Sequence, residues 1–474
     1  MHFNKIKLLS FILVAVSILT SCNDDTNNTK VILSANADFV SLTLSNDTFP
    51  NLSKTIFRVD SLNGFYSITN VDSMDYRTSL TKVKVKFKFV SSSKTTLSYI
   101  DNKIFYDTTL VGNEVLNLTF NGMSLVNYSS DGQKNKVYSF NFLIHKVNPN
   151  LYQWSQSKNK INTINCTNQK AVYFKNTIYY LFNDGVNSYL QTSSTDSPND
   201  KFSEKTTISG LPSTVSFKDL TVFNDKLYLT QNSDELFVSS DGITWNKSTY
   251  GKDNFSFKSL LYNFKNQLWA VIFSNDNKYH LANSNDGITW ITRGVVPDDY
   301  PVSDFSALSY KSRNGSDKAI VIGGLDKNGI QLNTNWNTDD GYKLLNFGSN
   351  NGMLDSLDLG ASIINYDNKL YLIGAVKNSK IRDNHFYYFS INEGLTWQKP
   401  NKNTNQISEL EIRDIVNSID QDTTIIATYG VRKHQSIIVN KNNRIFIIGG
   451  KGKDSFYDDV WTGKLNKLYV NKVW

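Results

Sequence analysis

Three acidic residues of this chain stand in nearly the same phrase: Asp241 in SSDGITW, Asp286 in SNDGITW and Glu393 in the looser SINEGLTW. Carboxylates recurring at domain-sized intervals could be a duplicated acid and base, since a pair of Asp or Glu side chains is what glycoside hydrolysis requires. The setting argues for another role. Asp-Gly or Glu-Gly between two runs of β-formers is a hairpin signal, in which Gly242, Gly287 and Gly394 accept positive φ and the acid receives hydrogen bonds from turn amides. Trp245, Trp290 and Trp397 follow, each with a large ring to bury against a neighbouring strand. These residues are expected to be structural hairpin staples, and none of the acids is assigned a catalytic role.

Other reactive side chains are dispersed. Cys166 lies in INCTNQ, and His280, His385 and His434 occur singly, which does not suggest a mononuclear metal site. Cys166 reads as a small buried hydrophobe. There is no phosphate-cradling Gly loop, His-Glu-x-x-His helix, Gly-x-Ser-x-Gly elbow or EF-hand loop. No catalytic residue, metal or cofactor is therefore expected. The net charge of +7 comes from 50 basic and 43 acidic residues without a dense basic block, so nucleic acid is not an expected partner. One stretch, 403–435, mixes polar and charged residues most densely and carries Glu409, Glu411, Arg413, Tyr429, Arg432 and His434. Long insertions often shape a binding face, which makes these six the candidate ligand contacts; the alternative is a distorted outer strand.

The elements that would position these residues can be read from pattern. Lys5 and Lys7 precede an apolar run from Leu8 to Leu19, then Leu19-Thr20-Ser21-Cys22, the layout of a secretory signal over residues 1–21. Residues 22–35, in which Cys22 is followed by polar NDDTNNTK, are expected to form a flexible tether. From 36 to 148 strands alternate: in KVKVKFKFV, Val83, Val85, Phe87 and Phe89 point one way and Lys82, Lys84, Lys86 and Lys88 the other. With no convincing helix, this region predicts an antiparallel, immunoglobulin-like β-sandwich. The lysine row reads as a solvated face or a charged edge.

Residues 149–474 repeat. Apolar strands begin at Ile178, Leu227, Leu268, Ile320, Leu370 and Ile445, at spacings of 49, 41, 52, 50 and 75 residues, each after a short polar turn. Units of this length with four short strands predict the six blades of a β-propeller. Gly323-Gly324 and Gly449-Gly450 end two of these strands. The last repeat supplies only three strands before the chain ends, so LYQWSQ, just before the first repeat, is expected to provide the fourth. Trp154 and Trp461 would then sit where strands from both ends fasten the ring. The fold class is all-β.

Resemblances add to this reading. The DGITW phrase resembles the Asp-box of sialidases and other propellers, one residue shorter than usual, which implies a peripheral, structural position. Ile447 to Leu468, IIGGKGKDSFYDDVWTGKLNKL, resembles the closing kelch-type blade of galactose-oxidase-like propellers. Leu19 to Cys22 is similar to a bacterial lipoprotein box, implying acylation of Cys22, and Asp24-Asp25 resembles a surface-export signal. Together with ITNVDSMDYRTSLTKVKV, the chain resembles an uncharacterised family of Bacteroidota lipoproteins, which implies a lipid-anchored, surface-exposed place on the outer membrane.

Sialidase activity is not implied. The Phe/Tyr-Arg-x-Pro motif is missing: Phe57-Arg58 lies in the first region without the proline, and Arg293, Arg313, Arg382, Arg413, Arg432 and Arg444 do not form it. Galactose-oxidase copper chemistry, with its Cys–Tyr crosslink and two His, is not matched either. The expected function is that of a monomeric surface protein, partnered by the membrane through its lipid, whose propeller binds a glycan or a partner protein. The rival class is a glycoside-active hydrolase or lyase using propeller-face carboxylates.

Overall fold

The computed structural model describes residues 33–468 except 147, 150–151, 198–199, 232–234, 251–254, 349–353, 355–356, 375–386, 400–414, 420–421 and 428. The signal segment, Cys22, most of the tether, and Glu409, Glu411 and Arg413 lie outside the described residues. The chain divides into two compact units, one ending at Lys146 and one beginning at Val147. Among the described residues all regular structure is strand, apart from 3₁₀ turns at Pro50–Lys54 and Asn466–Leu468, and no helix is long and apolar enough to cross a membrane.

The first unit contains β1 (Phe39–Ser45), β2 (Phe57–Leu62), β3 (Phe65–Asn70), β4 (Val83–Phe89), β5 (Lys94–Asp101), β6 (Ile104–Leu110), β7 (Glu114–Leu116), β8 (Asn121–Tyr128) and β9 (Asn135–Asn141). They form two sheets, β1-β4-β7 and β2-β3-β9-β8-β5-β6. Period-two alternation sends Leu42, Leu44, Val83 and Val85 of the first sheet and Ile68, Leu97 and Leu125 of the second into one apolar core. The sequence predicts purely antiparallel pairing, and here the structure differs. β3 and β9 run parallel, with Tyr66 opposite Tyr138 and Ile68 opposite Phe140. Between them the chain passes through β4 and β7 of the other sheet and through β5, β6 and β8 of this one, and such a crossover returns a strand in its starting direction.

Among the described residues the second unit contains six sheets of like build. Sheet I comprises Asn168–Phe174, Thr177–Asn183, Ser188–Ser194 and Thr206–Thr207; sheet II comprises Thr221–Phe223, Lys226–Gln231, Glu235–Ser239 and Asn246–Lys247. Sheet III is Phe255–Phe264, Gln267–Ser274, Tyr279–Ser284 and Ile291–Val295, and sheet IV is Ser306–Lys311, Asp317–Ile322, Asn335–Thr338 and Leu345–Asn346. Sheet V has three strands, Ser362–Tyr366, Lys369–Ile373 and Tyr387–Ser390. Sheet VI joins Ser436–Val439, Ile445–Ile448 and Val460–Leu465 to a strand from far upstream, Tyr152–Gln156, with Trp154 opposite Gly463. A separate hairpin, Ile415–Ile419 with Asp422–Ala427, occupies part of the 403–435 stretch.

The strands recognised by their apolar runs are the second strands of these sheets. Their runs are nearly continuous because both faces are covered: one apolar cluster lies between each neighbouring pair, I–II, II–III, III–IV, IV–V, V–VI and VI–I. First strands of neighbouring sheets also lie side by side, again including VI and I. Side chains bridge these inner seams to backbone. Asn168 Oδ1 accepts from Phe217 N, Asp219 Oδ2 from Leu260 N and Ser436 Oγ from Ala171 N. The Ser259, Ser306 and Ser362 hydroxyls donate to the carbonyls of Val302, Ala361 and Gln435. Two-residue turns with positive φ at both positions, such as Asn224-Asp225 and Lys265-Asn266, link first to second strands. Because the strands are antiparallel, these turns and those between third and fourth strands share one end of each sheet, while second-to-third turns and sheet-to-sheet connections share the other.

Candidate functional site

The staple acids lie at the first of these ends and are consumed by their own turns. Asp241 Oδ1 accepts from Ile243 N (2.9 Å) and Thr244 N (2.8 Å), while Ser239 Oγ accepts from Gly242 N and donates to Asp241. Asp286 repeats this with Ile288 N and Thr289 N, and those two donors pull its carboxyl down to about 2. Trp245 Nε1 donates to Gly242 O at 3.0 Å, closing the turn, and the Trp245 and Trp397 rings are buried; Trp290 is half-buried edge-on against Phe257. The glycines have a second duty. A Cβ on Gly242 would meet Tyr179 of sheet I at 2.9 Å, and one on Gly287 would meet Tyr228 of sheet II at 2.6 Å. Each staple thus also clamps the preceding sheet.

Two details escape the sequence reading. In SINEGLTW the capping side chain is Asn392: its Oδ1 accepts from Thr396 N, and Ser390 Oγ accepts from Gly394 N. Glu393 is therefore not a staple acid. The phrase is one residue longer, so Glu393 is displaced outward at φ +61° and pairs with Lys318 at 2.8 Å. Conversely, a copy was missed at Thr338–Leu344, where Asp340 Oδ1 accepts from Tyr342 N and Lys343 N, and Gly341 N donates to Thr338 Oγ1. Asp-Gly preceded by a hydroxyl residue was the available signal; Leu344 in place of tryptophan hid it.

Of the described insertion residues, two are interior. Arg432 is buried, donating to both oxygens of Asp459 and to Gly449 O, with Tyr457 and Tyr429 rings 3.9 and 4.3 Å from its guanidinium. Tyr429 is buried edge-on against Trp461, whose Nε1 donates to Asp459 Oδ2 at 2.9 Å. These residues are therefore not free ligand contacts, because the carboxylate of Asp459 and the two rings already occupy every face of the guanidinium. They lock sheet VI, where Trp154 also packs: a Cβ on Gly463 would come within 2.4 Å of its ring. The glycine pairs have positive φ at both positions, and Gly324 and Gly450 let the ends of sheets IV and VI approach Ser303 and Gln435.

His434 belongs to a different group at the other end of the sheets, beside the first strands. Lys170, Lys218, Asp304 and Lys433 act on it electrostatically, drawn from sheets I, II, IV and VI. Lys218 pairs with Asp304, and Lys433 with Asp358 at 3.8 Å. Asp219 accepts from the Thr230 hydroxyl and Leu260 N, yet burial raises its pKa; burial likewise lowers that of Lys170, against the opposing pull of Asp219. His434 is held at φ +57° with its N–H on Gly360 O at 2.7 Å. Burial, then the Lys218 charge, draws its pKa down to about 4 from 6.5. The unfolded chain binds this proton first as pH falls, so the stability tied to a neutral His434 is complete above 6.5 and disappears as pH falls towards 4. His434→Asn, which tolerates the same φ, is expected to flatten urea stability across that window; an unchanged pH profile would count against it.

At the same end of sheet III lies a cleft of about 490 Å³ lined by Tyr250, Phe255, Ser256, Phe273, Ser274, Asn275 and Asn277. Tyr250 stacks on Phe255 at 5.5 Å, and Phe273 leans on Tyr279 at 5.0 Å with its ring partly exposed. Among the described residues no acid, Lys, Arg or His lines it; Gly251 to Asn254, between Tyr250 and Phe255, lie outside the described residues. Aromatic rings beside amides and hydroxyls suit a ligand with apolar faces and many hydroxyls. Burial pushes the Cys166 thiol up to about 12, which leaves it unreactive. Among the described residues no group of three His, Cys, Asp or Glu side chains could hold a metal.

No curated protein matches this sequence. Solved structures that resemble it include YjhT, at 13% identity and TM-score 0.38, covering 65% of this chain and 96% of that one. A DUF4623 family protein from Bacteroides eggerthii is 8% identical with TM-score 0.34, covering 90% and 98%. A gluconolactonase from Xanthomonas campestris is 9% identical with TM-score 0.38, covering 66% and 89%. Residues 148–473 match the family model described as the DUF6242 beta propeller domain.

Proposed function

This chain belongs to the DUF6242 β-propeller family, and we propose that it is a lipid-anchored protein of a bacterial outer-membrane surface that binds a ligand, a glycan or a partner protein, on one face of its propeller. The propeller is read as a six-bladed, kelch-like ring fastened by strands from both ends, carried as a monomer on a β-sandwich spacer. The six apolar clusters, with one between sheets VI and I, support the ring; the two-sheet core of the first unit supports the spacer. Leu19 to Cys22 supports the anchor. The observation that carries ligand binding is the cleft at the end of sheet III, where three aromatic side chains meet Ser and Asn among the described residues.

A glycan array, scored for both retention and loss of each sugar, tests this reading on the chain from Asn28 onward. Retention without loss is expected, and Phe273→Ala should weaken it tenfold or more while leaving the fold intact, since that ring is already partly exposed. Equal retention by the variant would remove the cleft from consideration. A second reading, a glycoside-active enzyme, is favoured by Asp304, which acts on His434, and by Asp358, paired with Lys433, the residue before His434. Loss of any sugar from the array would establish it over binding alone.

A further inference from the structure

The first unit carries a feature that the propeller does not explain. Lys84, Lys86 and Lys88 are all exposed on one face of β4, and Lys82, just before the strand, is exposed as well. At about 3.4 Å per residue, neighbours in this row stand about 7 Å apart and the three on the strand span about 14 Å. A charged edge strand would need no further account, since such charges deter edge-to-edge pairing. β4 is covered by β1 on one side from Lys84 to Phe89 and by β7 on the other at Val83–Val85, so an edge account reaches Lys86 and Lys88 on one side only and does not reach Lys84.

Nor is the row neutralised within the molecule. Across the strand, Lys84 faces Ser45, Lys86 faces Thr43 and Lys88 faces Ser41; on the other side Lys84 faces Val115. Among the described residues the ion pairs of this unit are Arg58–Asp60, Arg77–Asp75 and Lys136–Asp38, none of which involves the four lysines. Exposed sheet faces are stabilised by opposite charges across strands and destabilised by like ones. Here the cross-strand positions hold hydroxyls where carboxylates would offset the repulsion.

We propose that this face binds a linear polyanionic glycan, one bearing carboxylates or sulfates along its length, with the lysines on its charges and Ser41, Thr43 and Ser45 beside its hydroxyls. The geometry favours a chain over a membrane surface, because the charge is one strand wide; a plane of headgroups would be met by cations on β1 and β7 as well.

The test uses the chain from Asn28 to Trp474 with heparin and polygalacturonate as probes, dextran as the neutral polymer, and vesicles of phosphatidylglycerol in phosphatidylcholine. Binding to at least one polyanion, not to dextran, is expected, and should weaken as salt shortens the range of charge interactions. Replacing all four lysines by Gln should weaken it at least tenfold without lowering the thermal midpoint. Replacing the exposed Lys54, Lys94, Lys103 and Lys134 by Gln changes net charge equally and should alter binding less than threefold. No binding to either polyanion, equal losses in the two variants, or binding to vesicles and not to glycans would each overturn the proposal.

Discussion

Arg432→Ala is expected to lower the stability of the second unit by about 3–5 kcal/mol, the usual cost of stranding one partner of a buried ion pair. Asp459 would keep a charge with only Trp461 Nε1 and the 3.4 Å contact from Gln156 left as donors. Gly449 O would lose a partner as well, and the Tyr429 and Tyr457 rings would face a void. Arg432→Lys should recover little, because an ammonium cannot reach two carboxylate oxygens and a carbonyl while filling the flat space between two rings. Urea unfolding of the second unit reads both variants. A loss below about 1 kcal/mol would mean that this arginine is not the lock of sheet VI. A ligand contact would behave differently, losing retention on the array with stability unchanged.

Gly287→Ala is expected to cost about 2–4 kcal/mol, combining the left-handed backbone penalty with overpacking against Tyr228. The two parts can be separated. Gly132 has a similar φ of +71° with nothing within 4 Å of the added carbon, so Gly132→Ala should cost only about 1–2 kcal/mol. In a Tyr228→Ala background the steric part of the Gly287→Ala cost should vanish, giving a coupling of about 1–3 kcal/mol in a double-mutant cycle. Additive effects would mean that the staple acts only within its own hairpin and not on the preceding sheet.

Much of this fold is readable from sequence where one physical rule dominates. Second strands such as LYLT and LWAV declare themselves because neighbours cover both faces, and the Asp241 and Asp286 turns because few residues other than glycine fit there. The reading fails where two signals compete. Glu393 beside Gly394 looks like the staple acid, but the added residue hands the capping to Asn392. Arg432 looks like a surface charge until folding delivers Asp459 from 27 residues away. The parallel pairing of β3 with β9 leaves no local trace at all, since it is set by the route of the intervening strands. The group around His434 is illegible for a simpler reason: Lys170, Lys218, Asp304, Asp358 and Lys433 become neighbours only when sheets from the whole unit meet.

Sheet VI joins segments that are far apart in time as well as in sequence. Ser155 finds Thr462 across 307 residues, so at ribosomal rates the upstream strand waits roughly 15–60 s after its synthesis for the partner that will cover it. During that interval sheet VI does not exist, and the row of amides and carbonyls on Tyr152–Gln156 is open to any other strand. A copy cut short before Val460 never leaves that condition. The seam therefore works as a test of completeness, passed only when the last strand has been made.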